Sequence, residues 1–338
     1  MRYCIFGAGA IGGLVAARLA FAGEDVCVVA REPALEAISR RGIELILQDG
    51  AKKSTGPLRA TDDCAKAGPC DVLVLALKAN QLPGVAPRLA PLLERDTLVM
   101  PMQNGLPFWY FHQHGAELAG RAIQCVDPGG KVLEALDPRR VIGCVVYMAA
   151  ERAGPASVRH MGGNRLFLGE LDGSRSARVE ALSASLTRAG FDAPVFDDIR
   201  AEVWLKLWGN LAFNAISALG HATLARVCGH EEGRSLAEQM MREAQAVAER
   251  LGVKMRASMQ QRIEGAARVG AHKTSMLQDV EAGRALEIDA LTGSVVELGE
   301  MVGIATPTIR AIYQATKLLD ATMRAEGAAV RLVNVLEG

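Results

Sequence analysis

A chain of 338 residues exceeds what one hydrophobic core usually organises, so two domains are expected. Half of its residues are hydrophobic and 22% are charged, which excludes a disordered chain and provides for a large buried core. Lysine plus arginine (38) balance aspartate plus glutamate (38), and a formal charge of zero argues against a nucleic-acid partner or an anionic membrane surface.

Residues 5–23 are apolar enough to imitate a signal peptide. They open on Gly7, Gly9, Gly12 and Gly13, hold Arg18, and follow a strand-like run with almost no basic leader, so they read as strand, turn and helix. No other stretch is long and apolar enough to span a bilayer. Residues 3–6 predict a first strand, 10–22 a helix ended by Gly23, and 26–30 a second strand. Residues 71–77 predict a third strand and 97–102 a fourth. Continuous apolar strands separated by helices predict an α/β, Rossmann-type doubly wound sheet, parallel and covered on both faces. Strand signals at 141–147, 157–161 and 165–168 predict an extension of that sheet. Beyond about residue 197 strand signals stop, and helical spacing runs through 202–219, 238–251, 286–302 and 308–323. The expected organisation is therefore a dinucleotide-binding domain over 1–197 and an all-α domain over 198–338. The seven cysteines include no C-x-x-C pair, which fits reduced thiols of a cytoplasmic protein rather than disulfides or a zinc site.

The run Gly7-Ala8-Gly9-Ala10-Ile11-Gly12 follows a predicted strand and opens a predicted helix. The first glycine permits the tight turn, the second the approach of a pyrophosphate, and the third close helix–strand packing. The helix N-terminus then offers N–H groups to the phosphates. Where an acidic residue after the second strand would hold the ribose of NAD, this chain has Arg31, suited to the 2′-phosphate of NADP. Glu32 follows and is placed to contact a ribose, which leaves NAD open. Lys78 and Asn104 stand just beyond the third and fourth strands, where open parallel sheets bind ligands. Asn104-Gly105 is equally a turn dipeptide.

In residues 203–216 nearly every side chain is apolar, and the strongly polar ones are Lys206, Asn210 and Asn214. At i, i+4 and i+8 they form one stripe on a helix otherwise suited to burial. Such a stripe predicts a polar edge lining a cleft, with an ammonium able to stabilise and protonate a carbonyl oxygen as hydride arrives. A lysine paired with a core glutamate is the structural alternative. Further on, Ser275 and Gln278 fit a capping box, and Glu287 suits a helix start.

With Leu77-Lys78-Ala79, Gln103-Asn104-Gly105, the 206/210/214 stripe and the pair Ser275 and Glu287 in this order, the chain resembles the ketopantoate reductase family over essentially its whole length. The resemblance implies NADPH, reduction of 2-dehydropantoate to pantoate in pantothenate and coenzyme A biosynthesis, and Lys206 as general acid. It implies that Glu287 binds substrate and orients Lys206, and that Asn210, Asn214 and Ser275 hold substrate. Asn104 is implied to lie between cofactor and substrate, Lys78 beside the cofactor, and two chains to form a homodimer. One segment departs from the family's pattern: residues 106–114 include Phe108, Trp109, Tyr110, Phe111, His112 and His114. An aromatic wall of the substrate pocket there would favour another branched or aromatic 2-keto acid; packing against the second domain or a partner chain is the alternative. His112 and His114 lack a third ligand, so no metal site is expected. A non-catalytic NADP-binding module and a 3-hydroxyacid dehydrogenase are the competing classes; the spacing of Ser275 and Glu287 points away from the latter.

Overall fold

Strand and helix alternate from the N-terminus of this computed structural model, which describes residues 1–114 and 116–333. The order is β1 (Arg2–Phe6), α1 (Ala10–Phe21), β2 (Asp25–Val29), α2 (Ala34–Arg41), β3 (Glu44–Ile46), β4 (Lys52–Ser54), β5 (Arg59–Thr61), α3 (Cys64–Ala67) and β6 (Cys70–Leu75). It continues with α4 (Leu82–Val85), β7 (Leu93–Pro101), α5 (Lys131–Ala135), β8 (Ile142–Gly154), β9 (Ser157–Glu170) and α6 (Ala177–Arg188).

Five strands pair in the order β5-β2-β1-β6-β7, all parallel. Ile5, Val28, Val72 and Val74 are fully buried, and α1 covers the sheet with Leu14, Val15 and Leu19, also fully buried. The run of β-branched residues thus lies between apolar layers, as a parallel sheet requires. Strand order reverses between β1 and β6, the point at which such sheets open a crevice beyond their carboxyl ends.

The later strands do not extend this sheet, contrary to the expectation from residues 141–168. They form a second one, β4-β3-β9-β8, with β3 parallel to β9 and the other pairs antiparallel. Among the described residues a single isolated bridge, Val99 with Val141, links the two sheets. The two short strands expected over 157–168 are one strand, interrupted by a bulge. Tyr147 pairs with Arg165 and Ala149 with Gly162, and Gly163 takes a φ of +67° where a side chain would strike the Tyr147 carbonyl.

The first compact unit comprises Met1–Gln103, Phe108–Arg121 and Gly129–Ile199; the second takes Asn104–Pro107, Ala122–Pro128 and the chain from Arg200 on. Two short pieces of the N-terminal half therefore belong to the second unit. Its helices are α7 (Ile199–Gly220), α8 (Leu224–Gly229), α9 (Glu231–Arg250), α10 (Met259–Arg268), α11 (Ser275–Glu281), α12 (Ser294–Val302) and α13 (Pro307–Glu326). A π-helical turn, Asp289–Gly293, leads into α12. Among the described residues this unit holds no strand. Helix α9 packs against α8, α12 and α13, and Trp208 of α7, 1% exposed, donates its indole N–H to the Met241 carbonyl of α9 at 2.6 Å. Among the described residues no helix is long and apolar enough to cross a membrane, and no cluster of three or more possible metal ligands occurs.

Candidate active site

In the first unit, β1 runs through Gly7 into α1. Gly7 has a φ of +111°, and a Cβ there would lie 2.7 Å from the Ala76 carbonyl oxygen. Gly12, in the first turn of α1, would place a Cβ 2.9 Å from that of Ala76 and into the Gly7 carbonyl. Both glycines thus let the turn press against the end of β6. Gly9 behaves differently: nothing lies within 4 Å of its Cβ position, so its missing side chain faces open space. Gly9 caps α1 without a side-chain hydrogen bond, and the first turn carries no acidic residue. Ala8, Gly9, Ala10 and Ile11 are all partly exposed. A helix start with uncapped N–H groups behind an open glycine fits a pyrophosphate by charge and by space.

Arg31 is exposed two residues beyond β2, and its carbonyl accepts the N–H groups of Ala34 and Leu35. Lys78 lies three residues beyond β6, where its N–H donates to Gln81 Oε1 at 3.1 Å. Gln103, just after β7, donates through Nε2 to the carbonyls of Leu75 (2.7 Å) and Leu77 (3.2 Å). It clasps the ends of β6 and β7 together, a positioning role that sequence reading did not assign. The only signal for it is an amide directly after a parallel strand.

In the second unit, Lys206 of α7 donates to Asn104 Oδ1 at 2.7 Å, across 102 positions of sequence. Gly105 explains how Asn104 gets there. Its φ is +88°, and a Cβ would lie 2.8 Å from the Cβ of Ala290, in the π turn. That close approach lets the Leu106 N–H donate to the Ala290 carbonyl at 3.0 Å. Asn104 is therefore more than a turn former: the turn delivers its carboxamide to the lysine.

Asn210 is partly exposed, while Asn214 is 6% exposed. Among the described residues neither carboxamide hydrogen-bonds to another protein group. A mostly buried amide in that condition is costly unless a ligand pairs with it. Ser275 is exposed at the first position of α11 and is not its cap, as a capping box with Gln278 required. Thr274 caps instead, accepting from the Leu277 N–H at 3.2 Å and donating to Ser217 Oγ at 3.1 Å. The Ser275 hydroxyl is thereby released from that duty. Glu287 is partly exposed, and its carbonyl accepts the Leu291 N–H as the chain turns into the π segment.

Several groups around the π turn are already committed. Asp289 accepts from Tyr313 Oη (2.7 Å) and Lys317 Nζ (3.0 Å); burial and then this carboxylate push the Tyr313 hydroxyl up. Glu297 of α12 accepts from the N–H groups of Gln124 and Cys125 and from Cys125 Sγ at 2.8 Å, and burial followed by Glu297 raises that thiol. The aromatic segment is core rather than an open wall. Phe108, Trp109, Tyr110 and Phe111 are at most 2% exposed, and Tyr110 meets Phe111 and His114 edge-on at 5.1 and 5.4 Å.

Comparison with known proteins accounts for both units. Residues 3–173 match the family model "Ketopantoate reductase PanE/ApbA", and residues 198–320 match its C-terminal model. A 2-dehydropantoate 2-reductase of Mesorhizobium japonicum is 51% identical over 320 residues, which are 94% of this chain and 98% of that protein. A solved chain of Ralstonia solanacearum MolK2 assigned to the ketopantoate reductases superposes with a TM-score of 0.90 at 40% identity, covering 95% of this chain and 98% of its own. The 2-dehydropantoate 2-reductase of Geobacter metallireducens GS-15 superposes with a TM-score of 0.82 at 27% identity, covering 94% and 99%.

Proposed function

The chain belongs to the ketopantoate reductase family, and from that membership we propose that it reduces 2-dehydropantoate to pantoate with NADPH, with Lys206 as the general acid. It is an oxidoreductase acting on CH–OH groups. The observation that carries the assignment of Lys206 is its bond to Asn104 Oδ1 at 2.7 Å, on a helix whose Asn210 and Asn214 continue the same polar edge.

Gly7, Ala8, Gly9, Ala10, Ile11 and Gly12 would hold the pyrophosphate, Arg31 the 2′-phosphate, and Lys78 a neighbouring part of the dinucleotide. When bound, the nicotinamide supplies the hydride. The chain's own part is electrostatic and protic. As the keto carbon is reduced, negative charge grows on the carbonyl oxygen; the Lys206 ammonium stabilises it and transfers one Nζ proton to it, and Lys206 is left neutral until solvent returns a proton. Asn104 holds Nζ from one side and limits its rotamers, so less entropy is lost on reaching the reactive geometry. Asn210, Asn214 and Ser275 present amide and hydroxyl groups for the substrate's oxygens. Glu287 accepts from the substrate's hydroxyl and orients Lys206. Product of this reaction would feed pantothenate and coenzyme A synthesis.

The purified chain is expected to oxidise NADPH on addition of 2-dehydropantoate. Lys206→Ala should lower kcat by about 10³-fold or more, because it removes both the proton donor and the charge. Equal turnover by wild type and variant would refute the assignment. A panel of branched and aromatic 2-keto acids separates the alternative substrates, and burial of Phe108 to Phe111 removes the main reason to expect an aromatic one.

A further inference from the structure

Helix α13 packs against the π turn, and three of its polar side chains act on one short stretch of chain. Tyr313, Lys317 and Asp320 stand at i, i+4 and i+7, one face of a helix. Asp320 is 3% exposed; its Oδ1 accepts the Leu286 N–H at 3.0 Å, and its Oδ2 pairs with Arg324 at 2.8 Å. Tyr313 Oη and Lys317 Nζ both donate to the Asp289 carboxylate, at 2.7 and 3.0 Å. The Tyr313 ring reaches it by lying on the π turn at Gly293, where a Cβ would come 2.8 Å from its Cε2 and 3.0 Å from its Cζ. Leu286 and Ile288 are buried, and Glu287 between them is partly exposed. Glu287 therefore stands between two polar anchor points, at Leu286 and at Asp289, both supplied by α13.

Stability alone does not account for this choice of side chains. Apolar residues of the same volume would hold α13 on the turn as well or better, because burying charge costs much of what pairing returns. What hydrogen bonds add is direction: each sets the separation and angle of its two groups, whereas apolar burial is non-directional. Direction matters here because residues 284–287 are irregular chain, and a side chain carried on such a segment is only as well placed as its backbone. The turn that follows is π-helical, a form that recurs at functional sites. Its Ala290 carbonyl accepts the Leu106 N–H at 3.0 Å, so the same segment also seats the loop that carries Asn104.

Resting on the role given to Glu287 above, we propose that Tyr313, Lys317 and Asp320 are positioning residues of the active site: they clamp Leu286 and Asp289 and so set where Glu287 presents its carboxylate. The three act through Glu287 and carry no proton in the reaction. Asp320 holds the backbone just before Glu287, and Tyr313 with Lys317 holds the side chain two residues after it.

The test is steady-state kinetics on the full-length protein with NADPH and 2-dehydropantoate, in wild-type and Glu287→Ala backgrounds. Tyr313→Phe keeps the ring at Gly293 and removes one hydroxyl; it should lower kcat/KM for the keto acid about 3- to 10-fold. Asp320→Ala should lower it about tenfold or more, since a bond to a charged group is lost. Asp320→Asn, whose carboxamide oxygen can still accept the Leu286 N–H, should recover most of that loss. In the Glu287→Ala background Tyr313→Phe and Asp320→Ala should each cost less than about twofold, because the group they place is gone. KM for NADPH should stay within about twofold of wild type throughout. Arg310→Gln, which breaks a pair with Glu300 at 2.6 Å on the same helix, should leave kcat/KM unchanged. If Glu287→Ala is as active as wild type, the role given to Glu287 is wrong and the clamp has nothing to place. If Glu287→Ala is impaired but Tyr313→Phe and Asp320→Ala are not, or if their losses persist undiminished in that background, the role of Glu287 stands and the proposal is wrong: this face of α13 only packs.

Discussion

Replacing Gly105 by alanine tests how the Asn104 carboxamide is delivered to Lys206. The new methyl would sit 2.8 Å from the Ala290 Cβ and 2.5 Å from its carbonyl carbon, on a backbone with φ of +88°. If the loop held its place, the left-handed backbone would cost about 1–2 kcal/mol and the overlap about 1–3 kcal/mol more. Lifting the loop is cheaper. It gives up the bond from the Leu106 N–H to the Ala290 carbonyl, worth about 1 kcal/mol, and Asn104 lifts with it. The loop should therefore move. Thermal unfolding should fall only a little, about 1–2 °C per kcal/mol for a chain of this size. Turnover should fall further: a charge-assisted bond of about 1.5–3 kcal/mol no longer fixes Nζ, which corresponds to a kcat roughly 10- to 100-fold lower. Asn104→Ala should give the same loss, and the double variant no additional one. A Gly105→Ala enzyme with wild-type kcat, or a double variant whose losses add, would refute the reasoning.

Three further outcomes follow from other parts of the fold. Arg31→Ala should raise KM for NADPH about tenfold and leave KM for NADH nearly unchanged, since the lost contact is to the 2′-phosphate alone; equal effects on both would remove Arg31 from the cofactor site. The Glu24 side chain is 7% exposed and accepts from the terminal ammonium, Ser185 and Arg188. Burial raises its carboxyl, but these donors outweigh that and hold it below the ordinary 4.5, so its contribution is present at neutral pH and fades as pH falls through the folded value. The stability gap between wild type and Glu24→Gln, about 1–2 kcal/mol in urea at pH 7, should accordingly shrink below pH 4.5; a gap independent of pH would show that the charge is not involved. Cys125, whose thiol is raised and bonded to Glu297, should react with iodoacetamide at neutral pH far more slowly than a free thiol until the protein unfolds, as peptide mass mapping would show.

What was legible in the sequence is what local chemistry dictates. The glycines after β1 announce their turn because Gly7 and Gly12 leave no room for a side chain while Gly9 leaves open space, and the 206/210/214 stripe stands out because three polar side chains interrupt an apolar helix at a helical period. Short pairings were not legible. Strands β3, β4 and β5 are three residues each, too brief for a period-two pattern, and the Gly163 bulge made one strand look like two. Helix α6 passed unremarked although Val179, Leu182 and Leu186 are fully buried at helical spacing. At Ser275 the cap rule misplaced the cap by one residue, because Thr274 and Ser275 are both good caps and only the buried bond to Ser217 selects Thr274. The meeting of Asn104 with Lys206 lay beyond any local rule, since it depends on a glycine fitting against Ala290 far along the chain.

Asn104–Pro107 and Ala122–Pro128 are grouped with the helices although they are encoded among the strands. A chimera that exchanged everything after Ile199 for the corresponding part of a relative would therefore not be a clean graft. The incoming lysine would meet a resident carboxamide, and the incoming carboxylate in place of Glu297 would have to receive resident Gln124 and Cys125. Recombination between such genes should succeed only where these short loops travel with the helical part, which makes the two halves a matched set in inheritance.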